Sequence, residues 1–161
     1  MPKVFVSVGS NVERERHIPA ALRELEEAFG PLTVSSVYES EAEGFSGPPF
    51  HNLVVAFDTD LPLETILEKL KEIEQRHGRS PRERKFVSRT LDLDLILYGD
   101  RVVTDPETSR RIVPREDILR YAFVLEPLAE IAPEEIHPVL GKTYRQLWQE
   151  FDRRKVRQRR L

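Results

Sequence analysis

Arg89-Thr90-Leu91-Asp92-Leu93-Asp94-Leu95-Ile96-Leu97-Tyr98-Gly99 is an aliphatic stretch interrupted twice by a carboxylate. Leu91, Leu93, Leu95 and Leu97 alternate with Asp92 and Asp94, the period-two pattern of a strand that buries one face and shows two acids on the other. Aspartate is depleted in strands, and two on one face repel each other and resist losing water. Water or a cation must offset that charge. Side chains two residues apart point the same way, roughly 6 to 7 Å apart, which suits one or two oxygen-binding cations of the magnesium type. A solvated edge strand that uses charge to block aggregation explains the same residues without a metal.

Directly upstream lies Arg79-Ser-Pro-Arg-Glu-Arg-Lys-Phe-Val-Ser-Arg89, with Arg79, Arg82, Arg84, Lys85 and Arg89 inside eleven residues. Guanidinium groups clamp phosphate oxygens in pairs while metal ions neutralise others, so a cationic loop beside a carboxylate pair is what polyphosphate recognition needs. A solvated basic loop is the plain alternative. Glu74 projects near the apolar stripe of the preceding helix, where it can orient an arginine, accept from a nucleotide or form a surface ion pair.

The rest of the pattern sets the fold. Lys3 to Val8 reads as a strand ending at Gly9-Ser10-Asn11, where the glycine serves the turn and Ser10 or Asn11 caps a helix. Ile18, Ala21, Leu22, Leu25 and Phe29 give that helix its stripe, and Gly30-Pro31 ends it. Strands follow at Thr33 to Tyr38 and Phe50 to Phe57. A second helix opens at Asp60 with Pro62 in its first turn, carries Leu63, Ile66, Leu67, Leu70 and Ile73, and stops at Gly78. Strand, helix, strand, strand, helix, strand is an α+β plan: a ferredoxin-like split βαβ core, one mainly antiparallel sheet with helices on a face. A C-terminal β and helical extension follows, with Val102-Val103 as a short strand. Tyr144, Leu147, Trp148 and Phe151 form a final amphipathic stripe, in which the tryptophan reads as core.

Composition narrows the classes. The 161 residues fit one domain, 1–161, large enough to need no covalent staples. Without cysteine there is neither a disulfide framework nor a thiolate site, and no signal peptide or membrane-length run is seen, which reads as a soluble, cytoplasmic protein. His17, His51, His77 and His137 have no spacing that suggests zinc or a nucleophile and base. The net charge of −3 hides a basic tail, residues 153–161, with Arg153, Arg154, Lys155, Arg157, Arg159 and Arg160. That tail reads as a frayed, solvated terminus, and the acidic body argues against a general nucleic-acid binder.

Taken together, Val8-Gly-Ser-Asn11, Ser35-Ser-Val-Tyr-Glu-Ser40 with Gly44, Phe50-His-Asn52, Glu74 with Gly78-Arg79, and Arg89-Thr-Leu-Asp-Leu-Asp94 form an ordered series. It continues through Phe123-Val-Leu125, Pro127-Leu128, Ile131-Ala-Pro133 and His137-Pro138. In order and spacing the series resembles the 6-hydroxymethyl-7,8-dihydropterin pyrophosphokinases of folate biosynthesis, up to about Tyr144. The resemblance implies pyrophosphate transfer from ATP, the co-substrate, to the hydroxymethyl group of a reduced pterin, with AMP released. It implies that Asp92 and Asp94 hold two Mg²⁺ ions and that Arg79 and Arg89 act on the phosphates, with Arg82 as a further basic loop residue. Glu74 and the backbone of Leu95 would meet the nucleotide. Asn52 would read the pterin edge, Phe50 and Phe123 would sandwich its ring, and Ser40 to Gly44 would line it.

Several positions depart from the family pattern: Phe86-Val-Ser88 for Trp-Gly-Pro, Glu41-Ala-Glu43 in the pterin loop, Ile112 for a polar residue, Arg115 for histidine and Tyr121 for arginine. They bear on rate, loop closure and nucleotide affinity. The expected partners are the two small molecules, with neither nucleic acid nor membrane, and the expected state is a monomer. A binder that has lost catalysis and a ferredoxin-like RNA-binding module are the rival readings, the second lacking ordered sheet aromatics.

Overall fold

A computed structural model describes residues 1–41, 48–78 and 91–161. Its elements run β1 (Lys3–Ser10), α1 (Arg14–Phe29), β2 (Thr33–Val34), β3 (Tyr38–Ser40), β4 (Phe50–Asp58), α2 (Leu63–Arg76) and β5 (Asp92–Tyr98). A hairpin of β6 (Val103–Thr104) and β7 (Arg111–Val113) follows, then α3 (Asp117–Arg120), α4 (Ala122–Ile131), α5 (Tyr144–Glu150), a 3₁₀ turn (Arg153–Lys155) and β8 (Gln158–Arg160).

Among the described residues the main sheet has the order β5-β1-β4-β3-β8, with β2 also on β4. Every pairing in it is antiparallel. This is the expected split βαβ arrangement, with the strand expected over Thr33 to Tyr38 divided into β2 and β3. Helices cover both faces rather than one. On one face Val4, Val6, Val8, Leu53, Val55, Leu93 and Leu95 meet Ile18, Ala21 and Leu25 of α1 and Ile66, Leu70 and Ile73 of α2. On the other, Phe5, Val54, Ala56, Ile96 and Leu97 meet Val124, Leu125 and Leu128 of α4 and Tyr144 and Leu147 of α5. Leu67, expected in the α2 stripe, is exposed at the margin of that contact. Trp148 is only partly buried, stacked on Phe151 and capped by the Arg153 guanidinium.

β5 departs from simple alternation. Phe5 pairs with Leu97 but Val6 pairs with Leu95, so Ile96 is one residue too many on β5. Such a bulge puts two residues opposite one and turns the chain. Leu93 and Leu95 therefore face α1 and α2, whereas Ile96 and Leu97 both face α4 and α5.

The turn from β1 into α1 is built differently from the expected cap. Glu13, at φ 46°, begins the helix without a side-chain cap. Ser10 Oγ donates to the Val12 carbonyl, and Asn11 Nδ2 donates to Pro48 O at 3.1 Å. Arg14 Nη1 donates to Pro49 O at 2.6 Å, so the junction is tied to the chain just before β4.

The basic tail does not fray. Arg159 pairs with Glu39 across β8 and β3, and Arg160 with Tyr38. Tail arginines find carboxylates on the body: Arg159 Nη2 lies 2.9 Å from Glu39 and Arg160 Nη2 lies 3.5 Å from Glu130. A net acidic body holds the basic strand that a charge count alone would send into solvent.

α1 and α2 are joined by imidazoles. His17 Nδ1 and His77 Nδ1 are 2.7 Å apart, and His77 Nε2 contacts the Glu24 carboxylate. One Nδ1 must donate and the other accept. Burial, then His77 and Arg16, push the His17 pKa below its ordinary 6.5. His137 is pushed down by burial and then Arg111, and its Nδ1 accepts from the N–H groups of Val139 and Leu140. A histidine lowered in the fold gives stability that is full above about 6.5 and is lost as pH falls through its folded value. This contribution predicts that the melting temperature of the parent, relative to that of His17→Gln, falls between about pH 7.5 and 5.5. An unchanged difference in thermal scans of the two proteins would remove His17 as a cause.

Candidate active site

β1 organises the site because it pairs on both sides. Gly9 faces Asn52 on β4 and Asp92 on β5, and Ser7 faces Val54 and Asp94. Directly opposed residues share a face, and adjacent strands lie about 4.8 Å apart, so Asn52 and Asp92 sit roughly 10 Å apart on one surface. That surface is the one covered by α4. Expected pterin residues and expected metal ligands, distant in sequence, meet there.

Gly9 has a role that its place in the sequence did not reveal. A Cβ at this position would stand 2.7 Å from Asn52 Oδ1, inside contact distance. The residue lies within β1 rather than serving the turn, and its missing side chain makes room for the Asn52 amide. Asn52 Nδ2 in turn donates to Ser40 Oγ at 3.2 Å, with both side chains buried. Phe50 and Phe123 are half-buried. Phe123 stacks on Tyr121 with centroids 4.9 Å apart and rings inclined by 18°. Tyr121 thus shares the aromatic wall, a contact that follows from their i, i+2 placement across the start of α4 and is invisible to helical periodicity.

The carboxylate end is strained electrostatically. Burial, with Asp92 adding repulsion, pushes the Asp94 carboxyl up to about 7 against the opposing pull of Arg115. Arg115 Nη2 lies 3.7 Å from Asp94 Oδ1, and its Nε lies 3.2 Å from Asp117 Oδ2. Asp117 and Arg115, neither of them expected as part of a metal site, therefore form a charged rim beside Asp94. Glu74 reaches the same strand from α2: its Oε2 accepts from the Leu93 N–H at 2.7 Å, between the two aspartates.

Two carboxylates on one strand, costly to hold together, form a hard-oxygen donor set that fits Mg²⁺. Among the described residues no group of three or more His, Cys, Asp or Glu side chains is arranged to hold an ion. Magnesium typically takes one or two carboxylates and completes its shell with water and phosphate oxygens, so a pair suffices. The Leu95 side chain is core, while its strand lies at the end of the sheet order. There Ile96 O accepts from Arg115 N at 2.9 Å. Gly44, Arg79, Arg82 and Arg89 lie outside the described residues.

A sequence profile for 7,8-dihydro-6-hydroxymethylpterin-pyrophosphokinase (HPPK) matches residues 5–133. The chain belongs to that family. The 2-amino-4-hydroxy-6-hydroxymethyldihydropteridine pyrophosphokinase of Aquifex aeolicus is 37% identical over 144 residues, 88% of each chain. The protein of the same name from Synechocystis is 43% identical over 118 residues, 73% of this chain and 58% of that one. The fold matches the crystal structure of Plasmodium falciparum HPPK-DHPS wild type with SDX-DHP at a TM-score of 0.72 and 14% identity. That alignment covers 93% of this chain and 43% of the Plasmodium protein. The pyrophosphokinase match includes Gly9, Asn52, Asp92, Asp94, Arg115 and Phe123, and ends before β8.

The Asp94 environment is expected to cost this fold stability. A carboxyl raised in the fold favours folding while protonated, and that advantage fades as pH rises from its unfolded value, about 3.9, to its folded one. Asp94→Asn mimics the protonated form. In chelator at pH 8 it is expected to raise the melting temperature, by roughly 2–4 °C per kcal/mol recovered in a chain of this size. The gain should shrink at pH 5. A variant no more stable than the parent at pH 8 would show that the carboxylate is not held at a cost.

Proposed function

We propose that this chain transfers pyrophosphate from ATP to the hydroxymethyl group of 6-hydroxymethyl-7,8-dihydropterin, releasing AMP, as a step of folate biosynthesis. The observation that carries this reading is the row Asn52, Gly9, Asp92 across three adjacent strands. It sets an amide able to read a heterocycle about two strand spacings from the carboxylates, within reach of a substrate spanning both.

In this reading Phe50 and Phe123 stack the pterin while Asn52 hydrogen-bonds its edge, with Ser40 fixing the amide and Gly44 adding backbone contact. Asp92 and Asp94 would hold two Mg²⁺ ions, which would supply positive charge against the triphosphate and polarise the hydroxyl. Arg79 and Arg89, with Arg82, take phosphate oxygens; Glu74 and the Leu95 backbone position the nucleotide. The pterin oxygen bonds to the β-phosphorus as the bond from that phosphorus to the α,β-bridging oxygen breaks. AMP leaves with the bridging oxygen, and the hydroxyl proton passes to water. No covalent enzyme intermediate is needed.

The enzyme is read as a cytoplasmic monomer that engages neither nucleic acid nor membrane. No helix among the described residues is long and apolar enough to cross a bilayer.

AMP release from ATP and Mg²⁺, with and without the pterin, tests the reaction. Asp94→Ala is expected to lower kcat by about 10²- to 10³-fold, the scale of losing one fixed electrostatic stabiliser, with pterin affinity little changed. Asn52→Ala and Gly9→Ala should instead raise the pterin KM about tenfold, as for the loss of a buried hydrogen bond. AMP release that ignores the pterin would exclude the proposed reaction, and an Asp94→Ala enzyme of normal rate would exclude the metal role.

A further inference from the structure

We infer that the C-terminal strand β8 is a brace for the pterin site, and that Gln158 is its positioning residue. The inference rests on the pterin reading given above. It concerns a segment beyond the family match, which stops at residue 133.

Two walls meet at the candidate pterin site: β3, ending in Ser40, and the first turn of α4, bearing Phe123. Gln158 belongs to both. Its backbone position pairs with Ser40 in the ladder of β3 and β8. Its side-chain Nε2 donates to Ala122 O at 3.1 Å and to Glu126 Oε1 at 2.7 Å. Ala122 immediately precedes Phe123, so one half-buried side chain spans from the neighbour of Ser40 to the root of the aromatic wall.

The flanking residues act in the same sense. Arg159 Nε and Nη2 both donate to Glu39 Oε2, at 3.2 and 2.9 Å, while the other Glu39 oxygen meets His51 Nε2 at 3.2 Å. His51 lies between Phe50 and Asn52. Arg160 Nε donates to Ser36 Oγ at 2.9 Å. The same Ser36 and the Tyr38 hydroxyl donate to Glu130 of α4. Gln158 and Arg160 thus tie the β3 segment to α4, while Arg159 holds Glu39, whose other oxygen meets His51 beside the pterin reader. Exposed ion pairs hold weakly, which leaves the ladder and the Gln158 bridge as the main ties.

Holding two walls at a fixed separation lowers the cost of ordering them around a ligand. Gln158→Ala should therefore raise the pterin KM and the pterin Kd about three- to tenfold, with kcat within about twofold and the ATP KM unchanged. Gln158→Lys, which keeps a donor for Ala122 O and Glu126, should restore most of the affinity. A chain ending at Val156 should show the same selective loss more strongly, and the point variants keep the inference testable if that chain does not fold. Pterin Kd is read by direct titration on each protein in the absence of ATP. An unchanged Kd in Gln158→Ala, or equal losses for pterin and ATP without rescue by lysine, would overturn the brace while leaving the reaction intact. A parent chain with no pterin-dependent AMP release would overturn both.

Discussion

The structure depends on β1 being hydrogen-bonded on both flanks. A central strand paired with β4 and β5 puts residues from two distant parts of the chain at the same height on one face. Gly9 is the shared member of that row, and its missing side chain leaves the space that the Asn52 amide occupies. Any larger residue there would move the amide, and through it Ser40. Site geometry and sheet geometry are one constraint here, not two.

The carboxylates illustrate how function works against folding. Strand β5 is otherwise aliphatic, and its own packing would favour apolar residues where Asp92 and Asp94 stand. Asp94 is held against burial and against its neighbour, and Arg115 relieves only part of that. Around this end the compensations are local. Asp117 holds Arg115 from the far side, and Glu74 locks the backbone between the two acids. At the opposite edge the sheet is finished by polar ties, with Glu130 gathering Tyr38 and Ser36. Burial opposes ionisation of Glu130, but the hydrogen bonds from Tyr38 and Ser36 prevail and keep its pKa below the ordinary value.

Much of this was legible in the residues. The stripes of α1 and α2 fix those helices and the face they cover, because burial on a helix imposes a spacing that sequence records directly. The acid pair was readable for the opposite reason: it violates what a strand wants. Other features depend on where distant segments arrive. Gly9 looks like turn punctuation until Asn52 is placed beside it. Ser10 and Asn11 look like caps until Asn11 is found on Pro48. The tail looks solvated until Glu39 and Glu130 line up opposite its arginines. In the sequence Arg115 and Tyr121 stand out only as departures from a family pattern; that one faces Asp94 and the other stacks on Phe123 emerges from the fold alone.

The extra residue at Ile96 gives β5 two phases, one for its acidic half and another for its packed half. A strand of uniform alternation can slide by two residues and still present the same chemistry to each side. This one cannot. A slip by one residue would drive both aspartates toward Val6 and Leu53 and turn Leu93 and Leu95 to the face of α4. A slip by two would leave the kink without its partner at Phe5 and Val6. The strand has a single seat against β1, and the distance from the acids to the α4 core is fixed as a count of residues.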